Sequence, residues 1–206
     1  MRCERTIRGT AAMTDFDALY SRTSDPWGLR TTWYERRKLD VLMACLPRER
    51  YRHALDLGCG EGEAARRLAD RCDAVRAVDG SATAIARCKQ WASQAGATHV
   101  TAEVLQLPGE WPVGMDVAAD LVVVSEVAYY LDDPDLDLFL ERCAASLAPG
   151  GDWVMCHFKD AFDDSLQQVG HIHGLVDAGG QVVRLAAHDD ERFRLDVWRK
   201  PGRKAS

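Results

Sequence analysis

The chain has 206 residues, 47% of them hydrophobic and 28% charged, a balance that suits one globular domain and gives no sign of disorder. Its net charge of −6 argues against a general nucleic-acid binder, because neutralising phosphates needs a basic face. No run approaches the about 18 apolar residues that a membrane span needs, and residues Met1 to Met13 lack the apolar stretch of a signal peptide, so a cytoplasmic protein is expected.

In chain order, residues 1–14 are polar and unpatterned and read as a loose leader. Thr31 to Leu46 reads as a helix, with Trp33, Leu39, Leu42, Met43 and Leu46 at helical spacing and Pro47 as its stop. Ala54 to Leu57 is a short buried strand that runs into a glycine turn, and Gly62 to Arg71 is helical. Ala74 to Val78 is a second strand. Ser81 caps a helix that Gly96 ends. His99 to Leu105 is a third strand, and the β-branched run Leu121 to Val124 is a fourth, buried on both faces.

Asp135 to Leu147 is a helix, Pro149-Gly150-Gly151 a turn, Trp153 to His157 a fifth strand, and Leu166 to Ala178 a further helix. Gln181 to Ala187 and Phe193 to Trp198 form a hairpin across the acidic turn Asp189-Asp190-Glu191. The basic stretch Arg199 to Lys204 reads as a frayed end. Strands alternating with helices predict a doubly wound, mostly parallel seven-stranded sheet with an antiparallel C-terminal strand, in one domain over residues 15–200. The seven cysteines are scattered and odd in number, without zinc-ligand spacing, and are expected to be buried thiols; no metal site is expected.

The informative stretch is Asp56-Leu57-Gly58-Cys59-Gly60-Glu61-Gly62, between a strand and a helix. Gly58 and Gly60 permit a tight turn and leave no side chain between backbone and ligand. Asp79 ends the second strand, near the roughly 20-residue spacing at which an acid meets ribose hydroxyls. The plainer alternative is a tight turn with Asp79 as a helix cap.

A dinucleotide fold asks for a third glycine where Glu63 stands. Asp56 ahead of the loop suits the ammonium and sulfonium of an amino-acid cofactor better than a pyrophosphate. Charge complementarity therefore selects S-adenosylmethionine over NAD.

The pattern DxGxGxG followed by an acid after the second strand resembles class I S-adenosylmethionine-dependent methyltransferases. More narrowly, the chain resembles the nodulation-protein-S-like group of small-molecule N-methyltransferases. The matching pieces are Asp25-Pro26-Trp27, Tyr34-Glu35, Leu107 to Pro112, Ser125 to Leu131 and Phe193 to Trp198, together spanning about Phe16 to Lys200. The resemblance implies a Rossmann-like sheet under an N-terminal helical lid. It puts cofactor contacts on Asp56, Gly58, Cys59, Gly60 and Gly62, on Asp79 and Gly80, and on Gln106 and Leu107 after the third strand. Relatives often place an Asp where this chain has Gln106, whose amide still accepts from an exocyclic amine. Ser125 and Glu126 should face the methyl donor, and the lid helix should bring Trp33, Tyr34 and Arg37 near it.

Methyl transfer needs an acceptor lone pair, and an amine is mostly protonated at neutral pH. Two candidate bases stand at strand ends on the ligand side, Glu126 and His157. Each has an alternative: Glu126 as a capping or acceptor-orienting carboxylate, His157 as a histidine satisfied by backbone. Tyr129 and Tyr130 line the acceptor pocket or simply pack, while Trp27, Trp111 and Trp198 suit core or lid. His171 and His173 point to different faces of one helix, and a solvated face is the simpler expectation.

These residues favour a methyltransferase acting on a small-molecule amine, such as that of an amino sugar, in natural-product biosynthesis, as a monomer or homodimer. An O-methyltransferase would use the same cofactor site. An NAD-dependent reductase is opposed by Glu63 and by the lack of a Tyr-x-x-x-Lys pair. A cofactor-binding protein without catalysis would lack a basic group facing the donor methyl.

Overall fold

The computed structural model describes residues 14–112 and 118–202. Seven strands form one sheet in the order β3-β2-β1-β4-β5-β7-β6. They are β1 (Tyr51–Leu57), β2 (Cys72–Asp79), β3 (Val100–Val104), β4 (Ala119–Ser125), β5 (Leu147–Phe158), β6 (Val183–Asp189) and β7 (Phe193–Arg199). The first five pair in parallel, and β7 runs antiparallel between β5 and β6. The expected seven-stranded, mostly parallel sheet with its C-terminal hairpin is thus present.

Alternation along the central strands splits the core into two layers. Leu121 and Val123 of β4 face helices α2 (Trp33–Cys45), α3 (Glu63–Leu68) and α4 (Ala82–Gln94). Val122 and Val124 face α5 (Asp133–Ser146) and α6 (Val169–Ala178). Every residue from Ala119 to Val124 is buried, as a strand covered on both faces requires. Helix starts carry the side-chain caps that their sequences offer: Ser81 Oγ accepts from Ala84 N at 3.1 Å, and Asp132 does the same for α5.

Three local differences from the sequence reading have simple causes. A further helix, α1 (Phe16–Arg22), precedes α2, capped by Asp15; seven residues are too few to show a helical period. β5 starts at Leu147, so the Pro149-Gly150-Gly151 turn lies within a strand whose register shifts against β4. Arg199 and Lys200 are not frayed: Arg199 donates to the buried carboxylate of Asp152 at 2.6 and 3.1 Å, and Lys200 Nζ donates to the carbonyls of Ala144 and Leu147. Most of the expected leader and the last four residues lie outside the described part. The described cysteines are free, and no helix among the described residues is long and apolar enough to cross a membrane.

Candidate active site

The carboxyl ends of β1, β2, β4 and β5 and the loops after them form one edge, with α1 and α2 laid across it. β1 delivers Asp56 and the turn after it. Gly58 has φ +76, and a Cβ there would lie 2.7 Å from Val127 Cβ, so the loop after β4 packs directly on bare backbone. Gly60 has φ +53, and the Tyr20 hydroxyl of α1 lies 2.5 Å from where its Cβ would be. The cradle is therefore shaped by missing side chains, with α1 as its cover.

Asp79 at the end of β2 accepts from Gly60 N at 2.8 Å and from Ser81 N at 2.9 Å. One carboxylate thus ties the glycine loop to the start of α4. α1 docks on the same corner, where Asp17 accepts from Ser81 Oγ at 2.6 Å and from Thr83 N at 2.8 Å. Gln106, after β3, donates through Nε2 to the Gly80 carbonyl at 2.9 Å, which leaves its Oε1 free to accept. Leu107 packs beside it against the core.

Asp56 is buried, and its Oδ2 has no hydrogen-bond partner. Burial, and behind it the charge of Asp79, push its carboxyl up to about 7, against a backbone hydrogen bond from Ala65. A buried carboxylate oxygen with nothing to accept from is costly unless a ligand supplies the donor. An amino-acid ammonium is such a donor. The residues present therefore fit S-adenosylmethionine.

The β4–β5 side is built differently. Glu126 has φ +60 and follows the half-buried Ser125. Its carboxylate accepts from Lys38 Nζ at 2.5 Å, from the Tyr129 hydroxyl at 2.5 Å and from Phe158 N at 3.0 Å. Lys38, on α2, is only 3% exposed and also pairs with Glu35 at 2.7 Å. Burial works against its charge, but Glu126 and Glu35 outweigh that and raise its pKa. Burial raises the Glu35 carboxyl in turn, with Lys38 pulling the other way.

α2 brings Tyr34 in, its ring meeting Phe158 and Phe193 edge-on, while Trp33 is 70% exposed. Arg37 reaches outward to Asp190 in the β6–β7 turn at 2.6 Å. The inward cation of α2 is thus Lys38, which the sequence reading passed over although it lies one helical turn beyond Tyr34. Tyr129 and Tyr130 meet edge-on, and Tyr130 stacks in the same way on Phe16 of α1.

His157 is fully buried at the end of β5. Its partner is a side chain, not backbone: Nδ1 lies 3.0 Å from His173 Nε2. His173, on α6, faces inward and is itself fully buried, contrary to the solvated face expected for it, and its Nδ1 lies 2.6 Å from Asp196 Oδ2. His171 is exposed, as expected.

Residues 54–151 match a family described as a methyltransferase domain. The chain is 31% identical over 153 residues to nodulation protein S of Rhizobium tropici, covering 73% of this chain and 60% of that protein. The chain therefore spans less than two thirds of that relative's length. It is 34% identical to a solved protein from Pseudomonas syringae assigned as a methyltransferase, with a TM-score of 0.71, covering 82% of this chain and all of the other. The N-methyltransferase NodS of Bradyrhizobium japonicum WM9, solved in complex with S-adenosyl-L-homocysteine, shares the fold with a TM-score of 0.78 at 20% identity, covering 91% of this chain and all of that one. Sheet order, glycine cradle and relatives agree: the chain belongs to the class I S-adenosylmethionine-dependent methyltransferases and is similar to their nodulation-protein-S group.

Proposed function

We propose that this protein transfers a methyl group from S-adenosylmethionine to the nitrogen of a small-molecule amine, such as that of an amino sugar. The observation that carries the donor side is the partnerless, buried oxygen of Asp56 beside the glycine cradle. In this reading Asp56 receives the cofactor's ammonium. Gly58, Cys59, Gly60 and Gly62 lie against it with backbone alone, Asp79 and Gly80 hold its ribose, and Gln106 and Leu107 border its adenine. Ser125 and Tyr34 flank the donor methyl, and Trp33 closes the outer rim.

Bound S-adenosylmethionine supplies an electrophilic methyl group on a cationic sulfur. The protein has to present an acceptor lone pair in line with it, and alignment of this kind is worth about 7–11 kcal/mol in favourable systems. Glu126 already accepts an ammonium, that of Lys38, together with a hydroxyl and a backbone N–H. A carboxylate already engaged by three donors is an anchor, so Glu126 orients the acceptor. His157 keeps an unpartnered ring nitrogen and is read as the proton acceptor. Tyr129 and Tyr130 form the pocket wall between them.

Nitrogen is chosen over oxygen because a neighbour similar over nine tenths of this chain is an N-methyltransferase, although O-methyltransferases match shorter stretches of its sequence. The domain is taken to fill residues 15–200, and the protein is taken to be cytoplasmic. Incubation with methyl-labelled S-adenosylmethionine and matched amino and hydroxyl sugars, read by mass spectrometry, tests this. Label on the amino sugar alone is the expected result; label on the hydroxyl sugar alone would make it an O-methyltransferase.

A further inference from the structure

The buried chain Asp196–His173–His157 links the C-terminal hairpin, α6 and β5. Its protonation states follow from its partners. Asp196 Oδ2 accepts from Arg194 Nε at 2.7 Å, so it is a charged acceptor, and the bond from His173 Nδ1 to the same oxygen at 2.6 Å must carry its proton on the histidine. Burial, set against the pull of Asp196, keeps His173 neutral, so its Nε2 bears a lone pair. The 3.0 Å contact to His157 is then donated by His157 Nδ1–H. Burial also keeps His157 neutral, helped by His173 and Lys38. Its Nε2 is consequently a bare lone pair, buried and without a partner.

We propose that Asp196 and His173 are positioning residues that fix His157 as the Nδ1–H tautomer, so that its Nε2 accepts a proton from the acceptor's nitrogen. This rests on the methyltransferase reading above. The groups around His157 are His173 from α6, Lys38 from α2, and Tyr129, whose ring is 5.4 Å away and whose hydroxyl is bound to Glu126. None of these is a carboxylate in contact with His157, so a proton held there alone would be poorly stabilised.

The chain solves this. As the acceptor's N–H bond breaks, its proton goes to His157 Nε2, its electron pair stays on nitrogen, and the His157 Nδ1 proton passes to His173 Nε2. The positive charge settles beside Asp196 instead of next to the reacting groups.

The first arm of the test needs no acceptor. The full chain, labelled with 15N in its six histidines and saturated with S-adenosylhomocysteine, is examined by long-range 1H–15N spectra, with His157→Gln used to assign the signal. Wild type should show His157 protonated on Nδ1 and bare at Nε2. His173→Leu removes the acceptor and should move that proton to Nε2, while His173→Gln, whose side-chain oxygen can accept, should restore the wild-type pattern. In labelled-methyl assays on glucosamine, His173→Leu should lower kcat about 100-fold with the cofactor KM unchanged, and His173→Gln should recover most of it. A wild-type His157 protonated on Nε2, or a tautomer unmoved by His173→Leu, overturns the proposal. A correct tautomer with no methylation of any amine would instead count against the acceptor assignment.

Discussion

The two halves of the cleft do comparable work with different materials. On the β1–β2 side, backbone and short carboxylates make the site: the turn Gly58 to Gly62, Asp56, and Asp79 bonded to Gly60 N and Ser81 N. On the β4–β5 side, long side chains from four separate segments meet: Lys38, Glu126, Tyr129 and His157, the last backed by His173. The first half is local in sequence and is shaped by what glycine leaves out. The second exists only once α2, β4, β5 and α6 have been assembled. A cofactor common to a whole family suits the first kind of construction, and an acceptor that differs between relatives suits the second.

If the halves are independent, each should fail without the other. The largest effect is expected from Lys38→Met, which leaves Glu35 and Glu126 facing each other without their shared cation. Breaking a buried ion pair on one side costs about 3–5 kcal/mol, so the melting temperature should fall by several degrees. Affinity for S-adenosylhomocysteine in the folded fraction should stay within about threefold of wild type. A large loss of cofactor affinity would join the two halves into one unit.

Asp79→Ala is the converse. It removes an acceptor that serves Gly60 N and Ser81 N and, in the proposed reading, the ribose, and hydrogen bonds to charged groups are worth about 1.5–3 kcal/mol each. Calorimetry should show affinity for S-adenosylhomocysteine reduced roughly 100-fold. Gly58→Ala comes next: with φ +76 and Val127 2.7 Å from the new Cβ, chemical denaturation should register a loss of about 1–3 kcal/mol.

The smallest effect is one of pH. The Asp56 carboxyl, pushed up to about 7 by burial and by Asp79, is protonated in the acid range when no ligand is bound. A cationic ligand prefers the carboxylate and expels that proton, so cofactor affinity should rise about tenfold from pH 6 to pH 8, and Asp56→Asn should flatten the profile. Stability without ligand runs the other way. Because the folded value lies above the ordinary 3.8, the contribution of Asp56 is fully present below 3.8 and is lost as pH rises through about 7.

The same contrast explains what the amino-acid sequence revealed. Sheet, strand order at the C-terminal hairpin and the glycine cradle were legible because each depends on a few consecutive residues: a β-branched run such as Leu121 to Val124, a cap such as Ser81, a turn such as Gly58 to Gly62. α1 was not, being too short to show a period, although Tyr20 covers Gly60. Lys38 was passed over because a lysine on a helix usually points to water, and only the two glutamates make its burial tolerable. His173 was expected at the surface for the same reason. Its partners come from β5 and β7, and no spacing along α6 announces them.

The central claim is that this cradle holds S-adenosylmethionine and not a dinucleotide. Calorimetric titration of the intact chain with S-adenosylhomocysteine and, separately, with NAD tests it most directly. Saturable one-to-one binding of the sulfur compound with no heat from NAD is the predicted result; binding of NAD alone, or of neither, would contradict it.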